Sequence, residues 1–184
     1  MILTRDNEYL AVLDTCVLAP MPLCDTLMRC AEEPALFRIL WSTETLEELR
    51  RTLLRFGYSA EQADRRVCQM QHAFPEATVT HPATLLRALE ALPDAADAHV
   101  VAAAIHEHAQ VIVTQNLKHF PADILAPHNI LAQSPDDFLV HQYHLSPQRL
   151  RQILDMQASA IHQQRDDILR RLQPHVPTFV ALFS

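Results

Sequence analysis

Residues 10–20 read LAVLDTCVLAP, and the apolar run that begins at Leu10 stops at Asp14. A second run, QVIVT at 110–114, contains three consecutive apolar residues, Val111 to Val113. Apolarity that is continuous rather than alternating is typical of strands covered on both faces, as in a parallel sheet. We therefore predict two buried strands, at 10–13 and 110–114, in one parallel sheet.

Helix and strand signals alternate around these two runs. Apolar residues recur at intervals of three and four from Leu46 to Phe56, which predicts an amphipathic helix over 43–56 capped by Ser42 or Thr43. Strands that alternate with helices are joined by right-handed crossovers, so the order of elements predicts an α/β sandwich. The other predicted elements are a strand at 38–41, a helix at 59–74, a strand at 77–80, a helix at 93–108 and a strand at 129–132.

The last part of the chain carries only helix signals. Ser134 precedes a proline and two acidic residues, an arrangement that predicts the start of a helix. Ser146-Pro147 begins another periodic stretch, which predicts one long helix that ends before Pro174. After Pro177, the apolar segment TFVALF could be buried on a partner or on the chain's own core. We expect a domain over 8–134 and an all-helical extension over 135–184.

The composition excludes several classes of protein. One glycine, Gly57, among 184 residues excludes the phosphate-binding loops that are built on several glycines. The four cysteines form no C-x-x-C pair, so we expect reduced thiols and no zinc finger. The longest apolar run, at 100–105, falls far short of the roughly 18 residues of a membrane span. The N-terminus lacks the apolar stretch of a secretory signal, so we expect a cytoplasmic protein.

The net charge of −7 argues against a protein that coats nucleic acid, because phosphate binding needs surplus positive charge. An acidic active site remains compatible with this charge. Any RNA contact would depend on local basic clusters, each of which can also be a solvated helix face. The candidate clusters are Arg50, Arg51 and Arg55, then Arg65 and Arg66, then Arg149 and Arg151.

Side chains that carry oxygen atoms stand where the predicted strands and helices meet. Asp14 ends the first strand, and Asn116 follows the strand of 110–114. Because ligands of open α/β sheets bind at the carboxyl ends of strands, these two side chains could converge on one crevice. Asp97, in the first turn of its helix, leans towards the packed side of that helix, and Glu48 lies beside Leu49 on the earlier helix.

Acidic side chains gathered in this way need a compensating cation, because burying like charges together is costly. Carboxylate and amide oxygens suit Mg²⁺ or Mn²⁺, whereas Zn²⁺ would need His or Cys ligands. Hydrolysis of a phosphodiester by an activated water is the chemistry that such a site supports. By spacing alone the set is only suggestive, and Asp94 is equally well explained as a helix cap.

Four segments of the sequence form a recognisable set: VLDTCVLAP at 12–20, WSTETLEELRRTL at 41–53, LPDAADAHVVAAAI at 92–105 and VTQNLKHFP at 113–121. In these segments the chain resembles the PIN-domain ribonucleases, the family that includes the VapC-type toxins of bacterial toxin–antitoxin systems. The segments occur in the order and at the spacing of the family, and with the sheet they cover about 10–134. The resemblance implies a three-layer sandwich with a central parallel sheet. The helical extension is similar to that of one VapC-like subgroup.

The resemblance also assigns roles to single residues. It implies that Asp14, Glu48 and Asp97 are the three metal-binding acids and that Asp94 is an additional acid nearby. Asn116 falls where many members have an aspartate. A neutral amide there lowers the charge of the site by one, which favours one bound ion over two. Thr114 is expected to hydrogen-bond a carboxylate or a water.

Two residues depart from the pattern of the subgroup. Ala98 follows Asp97 where an arginine is usual, and His119 stands before Phe-Pro where an aspartate is usual. The sequence favours an ordinary loop histidine at position 119, with a proton relay near neutral pH as the alternative. If either position helps to hold substrate or metal, activity would be weak or altered.

The sequence therefore predicts a Mg²⁺- or Mn²⁺-dependent endoribonuclease, the toxin of a type II toxin–antitoxin pair. Its expected partners are RNA, a cognate antitoxin that inserts near the acidic groove, and a second copy in a homodimer. The alternative is a weakly active or inactive module of the same fold that binds RNA or protein. A phosphatase with an aspartyl nucleophile is disfavoured, because that class needs an aspartate at the position of Cys16.

Overall fold

A computed structural model describes residues 9–89 and 92–183, so the outermost residues of the two predicted ranges, Glu8 and Ser184, lie outside the described residues. The chain forms a five-stranded sheet, all parallel, in the order β3-β2-β1-β4-β5. This is the central parallel sheet that the sequence predicts. The strands β1 to β5 are Leu10–Leu13, Arg38–Ser42, Thr78–Val79, Val111–Val113 and Leu131–Gln133.

Helices connect the strands and make up the C-terminal part of the chain. Helices α1 to α6 are Thr15–Leu18, Met21–Ala31, Thr43–Arg55, Ala60–Ala73, Ala83–Ala88 and Ala98–His106. Helices α7 to α11 are Ala122–Leu125, Pro135–Leu145, Pro147–Ala160, Arg165–Leu172 and Pro177–Ala181. Short 3-10 turns lie at Ala95–Asp97, Leu117–His119 and Ala126–His128.

Successive residues of each strand point to opposite faces of the sheet, and both faces are covered. On one face, Leu13 and Val113 join a core with residues of α2, α3 and α4 and of the C-terminal helices. On the other face, Val12 and Ile112 pack with α6 and the short helices α5 and α7. Two helical layers around one sheet make the three-layer sandwich predicted from the resemblance, and the continuous apolar runs follow from this double burial.

The predicted helix starts at Ser42 and Ser59 are confirmed in detail. The Ser42 hydroxyl accepts the backbone N–H of Thr45 at the start of α3. Ser59 and Gln62 form a reciprocal capping box at the start of α4. Such caps satisfy N–H groups that have no partner inside the helix. They also fix where α3 begins, and α3 carries Glu48.

Two predicted elements have a boundary that lies more than one residue from its position in the structure. The segment predicted as one helix over 93–108 opens as a 3-10 turn, and α6 proper begins at Ala98. It ends early because His108 adopts a left-handed backbone with φ 55°. The last strand lies at 131–133 rather than at 129–132, since Asn129 also has a positive φ and belongs to the preceding turn.

The prediction of one long helix from Pro147 to Pro174 is wrong. The chain forms two helices, α9 and α10, separated at 161–164. His162 adopts a left-handed backbone, and the N–H of Gln163 bonds back to the carbonyl of Ala158, which ends α9. Gln164 then caps α10. The periodicity continues across the break, so spacing alone did not reveal it.

The C-terminal helices share one core with the sheet. Phe138, Leu154 and Phe179 are fully buried in the same cluster as Leu13 and Val113. The segment TFVALF therefore packs, through Phe179, on the chain's own core. The division into ranges at residue 134 stays a prediction. None of the helices in the described part of the chain is long and apolar enough to cross a membrane.

Candidate active site

The carboxyl ends of β1 and β4 lie side by side in the middle of the sheet, where the strand order reverses. The chain leaves β1 towards β2 on one side and β4 towards β5 on the other. Such a switch point opens a crevice in α/β folds, because the two connections diverge. Asp14 follows β1 and Thr114 follows β4, so both stand at this crevice.

Asp14 is almost fully buried, with 3% of its surface exposed. Its Oδ2 accepts a hydrogen bond from the Thr114 hydroxyl at 2.6 Å and one from the Cys16 thiol at 3.1 Å. Burial, followed by the Asp14 charge, raises the pKa of Cys16 to about 12, so the thiol keeps the proton that it donates. The bond from Thr114 is of the kind that the resemblance implies. The backbone N–H of Asn116 donates in turn to the Thr114 hydroxyl, which fixes the start of the next loop.

Glu48 reaches the crevice from α3. The Thr15 hydroxyl lies 2.9 Å from Glu48 Oε2, and His99 Nε2 lies 4.0 Å from the same oxygen. His99 belongs to the first turn of α6 and is buried behind Glu48. Burial lowers the pKa of His99 in spite of the nearby acids, so its imidazole is neutral at neutral pH.

Asp97 lies at the start of α6, but its carboxylate does not cap that helix. Asp97 Oδ2 lies 2.7 Å from His119 Nδ1, across from the loop that follows β4. The interpretation of His119 as an ordinary loop residue is therefore wrong, because the imidazole holds the third acid. The carboxylate of Asp94 accepts the N–H of Ala96 and caps the 3-10 turn, with Oδ2 3.9 Å from His119 Nδ1.

One open cleft of about 470 Å³ collects most of the predicted site residues. Asp14, Glu48, Asp97 and Asn116 all line it. Of the other two candidates, Thr114 is fully buried behind Asp14, and Asp94 does not belong to the lining. The structure thus brings together four residues that are separated by up to 102 positions in the chain, from Asp14 to Asn116.

The three acids of the cleft share one feature that bears on ion binding. In each of the three carboxylates, the described residues form hydrogen bonds to one oxygen and not to the other. That oxygen is Oδ2 in Asp14 and Asp97 and Oε2 in Glu48. The other oxygen of each carboxylate is thus left for a further ligand. A carboxylate held through one oxygen and open at the other is suited to bind a cation.

This donor set fits a hard divalent ion. Carboxylate and amide oxygens are the ligands of Mg²⁺ and Mn²⁺. Within the described ranges, the only group of three or more acids, histidines or cysteines with ligand atoms all within 4.8 Å of one another is Asp94, Asp97 and His119. Asp14, Glu48 and Asp97 therefore do not all lie within this distance of one another. Mg²⁺ keeps several waters and takes only one or two carboxylates directly, so the wider spacing is compatible with one shared ion.

In two of the predicted basic clusters, one arginine is bound to another part of the protein. Arg50 forms an ion pair with Asp64, and Arg66 is buried with its guanidinium on the carbonyls of Leu18 and Ala19. Arg55 lines the acidic cleft. Arg51 and Arg55 together line an adjoining cleft that also contains Glu48 and His99. Positive charge is therefore present next to the acids in spite of the net charge of the chain.

Comparison with known proteins places the chain in a family. A family model described as PIN domain matches residues 11–118, more than half of the chain. The chain belongs to the PIN-domain family. A segment of 58 residues is also 52% identical to VapC50 of Mycobacterium tuberculosis, strain H37Rv, whose name describes it as a candidate ribonuclease. That match covers 32% of this chain and 34% of VapC50, so it spans about a third of the relative's length. No solved structure gives a significant match.

The PIN domain also contains contacts that the sequence did not predict. Thr15 holds Glu48, Cys16 holds Asp14, and His99 stands behind Glu48. One signal was visible: His99 is the only polar residue in the apolar run from Ala98 to Ile105. A polar side chain on a buried helix face needs a partner, and the partners of His99 come from the end of β2 and from α3.

The pKa of Asp97 leads to a prediction about the free energy of unfolding of the protein. Burial first, and then the charges of Asp14 and Asp94, raise this pKa above its usual value of 3.8. The folded PIN domain therefore binds this proton more tightly than the unfolded chain does, so stability falls as the pH rises through the raised pKa. The Asp97→Asn substitution removes this loss of stability, because the amide side chain does not ionise. In chelator at pH 7, the variant should have a higher free energy of unfolding than the wild type.

Urea denaturation at pH 7 and at pH 3.5 measures this effect. The difference between variant and wild type should shrink at the lower pH, where Asp97 is largely protonated in both the folded and the unfolded state. A variant that is less stable than the wild type at pH 7, or a difference that grows on acidification, would contradict the prediction.

Proposed function

We propose that this chain is an endoribonuclease that hydrolyses RNA phosphodiester bonds with one Mg²⁺ or Mn²⁺ ion in the acidic cleft. In this proposal Asp14, Glu48 and Asp97 hold the ion, one or two of them directly and the rest through its waters, and Asn116 adds a neutral oxygen. The observation that carries the proposal is the shared cleft, in which each acid is held through one oxygen and open at the other. Membership of the PIN-domain family and the name of VapC50 agree with it.

The residues around the ligands have distinct roles in this proposal. Thr114, Thr15 and His119 orient the three acids through these hydrogen bonds. Asp94 assists by capping the turn that presents Asp97. When bound, a divalent ion lowers the pKa of a water and neutralises charge on the phosphodiester.

The substrate would lie along a surface of mixed charge. Arg55 stands at the rim of the acidic cleft, with its guanidinium 2.8 Å from the Thr52 hydroxyl. Arg51 lies one helical turn earlier and lines the adjoining cleft. Guanidinium groups bind phosphate oxygens well. In this proposal the two arginines hold phosphates of the RNA next to the acids.

We propose further that the chain is the toxin of a type II toxin–antitoxin system, with the resemblance to VapC-type proteins as support. A cognate antitoxin would then insert a segment near the acidic groove and block access of RNA. A homodimer stays a prediction. Cytoplasmic location follows from this role and is part of the proposal.

A cleavage assay on total RNA tests the proposed reaction. The wild type should cut RNA in Mn²⁺ or Mg²⁺ and stop when a chelator is added. Asp97→Asn should lose this cleavage in the same buffers, because the third acid is neutral. Asp166→Asn is a matched control, since Asp166 is an exposed acid on α10 outside the cleft.

Each outcome has a clear meaning. Metal-dependent cleavage that Asp97→Asn loses and Asp166→Asn retains supports the proposal. Cleavage that persists in Asp97→Asn would reject the assignment of the site. A wild type that neither binds Mn²⁺ in calorimetry nor cuts RNA would favour the alternative, a PIN-fold module that binds RNA or protein without catalysis.

A further inference from the structure

A buried polar network links the start of α3 to the start of α6 behind the acidic cleft. Its members are the Ser42 and Thr45 hydroxyls, both fully buried, and the imidazole of His99, which is 9% exposed. Ser42 Oγ lies 2.8 Å from His99 Nδ1 and 2.9 Å from Thr45 Oγ1. Thr45 Oγ1 lies 3.5 Å from the same Nδ1. The backbone N–H of Thr45 also donates to Ser42 Oγ.

Counting the hydrogens of this network decides which ring nitrogen of His99 is protonated. If Nδ1 accepts, the Thr45 hydroxyl donates to Ser42 Oγ, and the Ser42 hydroxyl donates to Nδ1. The two hydroxyl hydrogens and the Thr45 N–H then all have acceptors. If Nδ1 carried the proton, it would take an acceptor site on Ser42 Oγ, and the Ser42 hydroxyl would turn to Thr45 Oγ1. The Thr45 hydroxyl hydrogen would then find no acceptor among the described residues, which is costly in a buried site.

With Nδ1 as an acceptor, the ring proton is on Nε2, the nitrogen that faces Glu48. The separation from Nε2 to Glu48 Oε2 is 4.0 Å. This exceeds a hydrogen bond of about 2.9 Å by roughly 1 Å, so a direct hydrogen bond requires the Glu48 carboxylate to move towards the ring by that distance. The Thr15 hydroxyl approaches the same oxygen at 2.9 Å. Two donors on Oε2 would hold the carboxylate with Oε1 towards the cleft.

We propose that His99 is a positioning residue whose Nε2–H holds Glu48 for a divalent ion. The inference rests on the proposed function, because it assigns the ion to the acidic cleft. Partners that orient a metal-binding carboxylate typically change metal affinity by about 10- to 100-fold when they are removed. His99 is placed to have an effect of this size without being a ligand of the ion.

Nuclear magnetic resonance of the full chain tests the protonation of His99 directly. Long-range proton–nitrogen correlation on the metal-free protein, with ¹⁵N-labelled histidine, distinguishes the two neutral forms of the ring. His99→Gln identifies the His99 signals by their loss. We expect Nε2 to be protonated and Nδ1 to be a hydrogen-bond acceptor. A protonated Nδ1 with a bare Nε2 would overturn the inference, whatever the protein does with metal or RNA.

Calorimetric titration with Mn²⁺ tests the positioning role. His99→Leu removes the donor at similar volume and should weaken Mn²⁺ binding about 10-fold or more. His99→Gln returns an N–H near the position of Nε2 and should recover most of the affinity. His106→Leu is a matched control on the same helix, two turns further on and outside both clefts, and should bind Mn²⁺ as the wild type does.

The results separate this inference from the proposed function. Wild-type affinity in a folded His99→Leu, or equal loss in the Leu and Gln variants, overturns the positioning role and leaves the nuclease proposal standing. A wild type without Mn²⁺ affinity contradicts the proposed function, and the positioning role falls with it. If His99→Leu does not fold, His99→Gln and the protonation of the wild-type ring decide the question.

Discussion

Asp14→Asn is expected to lower metal-dependent RNA cleavage by more than about 100-fold, the upper end of what losing an outer-shell partner costs a metal site. The expected loss is larger because Asp14 is itself a proposed ligand, and its Oδ1 is the oxygen left open towards the cleft. Asparagine keeps the shape of the side chain but removes its charge. Cleavage of total RNA in Mn²⁺, compared between wild type, Asp14→Asn and the exposed control Asp166→Asn, measures the effect.

The same substitution should not destabilise the metal-free protein. Asp14 is 3% exposed, and its charge raises the pKa of Asp97 across the cleft. The Asn amide oxygen can still accept the hydrogen bond from Thr114, and removing a buried charge relieves the repulsion between the two acids. In chelator, thermal unfolding of Asp14→Asn should therefore occur at the same temperature as in the wild type or higher.

Added Mn²⁺ should reverse the order of the unfolding temperatures, so that the wild type unfolds at a higher temperature than Asp14→Asn. Binding to the folded state stabilises a protein by about 2.7 kcal/mol when the ion is at 100 times its dissociation constant, and a variant with a broken site gains less. Lost cleavage together with a melting temperature far below that of the wild type in chelator would mean that Asp14 is structural. Unchanged cleavage would remove Asp14 from the reaction.

The sheet could be predicted because its signal is local. The strand at Leu10–Leu13 and the one at Val111–Val113 are continuous apolar runs, and in the structure both are covered on two faces. The starts of α3 and α4 could be predicted from their capping residues for a similar reason, since a cap depends on residues only three positions apart.

Other elements were hidden by competing signals. Helix α2 has buried residues at Leu23, Leu27 and Cys30, an interval of three and four, yet we did not predict it. Pro20 and Pro22 stand at its start and mask it, although proline is well tolerated in a first helical turn. The break between α9 and α10 depends on the backbone of His162, which no periodicity reveals.

Some features of the candidate site could likewise be predicted from the sequence, and others could not. The motifs predicted that Asp14, Glu48, Asp97 and Asn116 would gather, and they line one cleft. The contact from His119 to Asp97 spans 22 positions, and the network around His99 spans more than 50. Such contacts depend on how finished helices and loops pack, so neither composition nor spacing contains them. The resemblance to the VapC-like subgroup predicts an acid at position 119. The histidine that is present there contacts Asp97.

Phe138→Ala is expected to lower the free energy of unfolding by about 3–5 kcal/mol, the usual cost of truncating a buried phenylalanine. Phe138 lies on α8 and is fully buried. Its ring packs edge-on against Phe37 at 4.8 Å between centroids and stacks with Tyr9 at 6.4 Å. Since small domains have only about 5–15 kcal/mol of stability, the loss should be large.

The effect should reach the sheet as well as the C-terminal helices. Trp41, the only tryptophan, lies on β2 and is buried in the same cluster as Phe138. Its fluorescence reports on the sheet, while far-ultraviolet circular dichroism reports on all helices. Because one core joins the two regions, Phe138→Ala should shift both urea transitions equally. Leu145→Ala, on the same helix but at a side chain that is 75% exposed, should leave both within about 0.5 kcal/mol.

The two probes decide whether residues 135–184 are a separate unit. If the helical extension folded on its own, Phe138→Ala would shift the circular dichroism transition and leave the Trp41 transition in place. Coincident transitions would instead mean that a single cooperative unit includes the strands that end at Asp14 and Thr114. In that case the C-terminal helices help to hold the acidic cleft together, and substitutions far from it would lower activity by unfolding the sheet that presents Asp14.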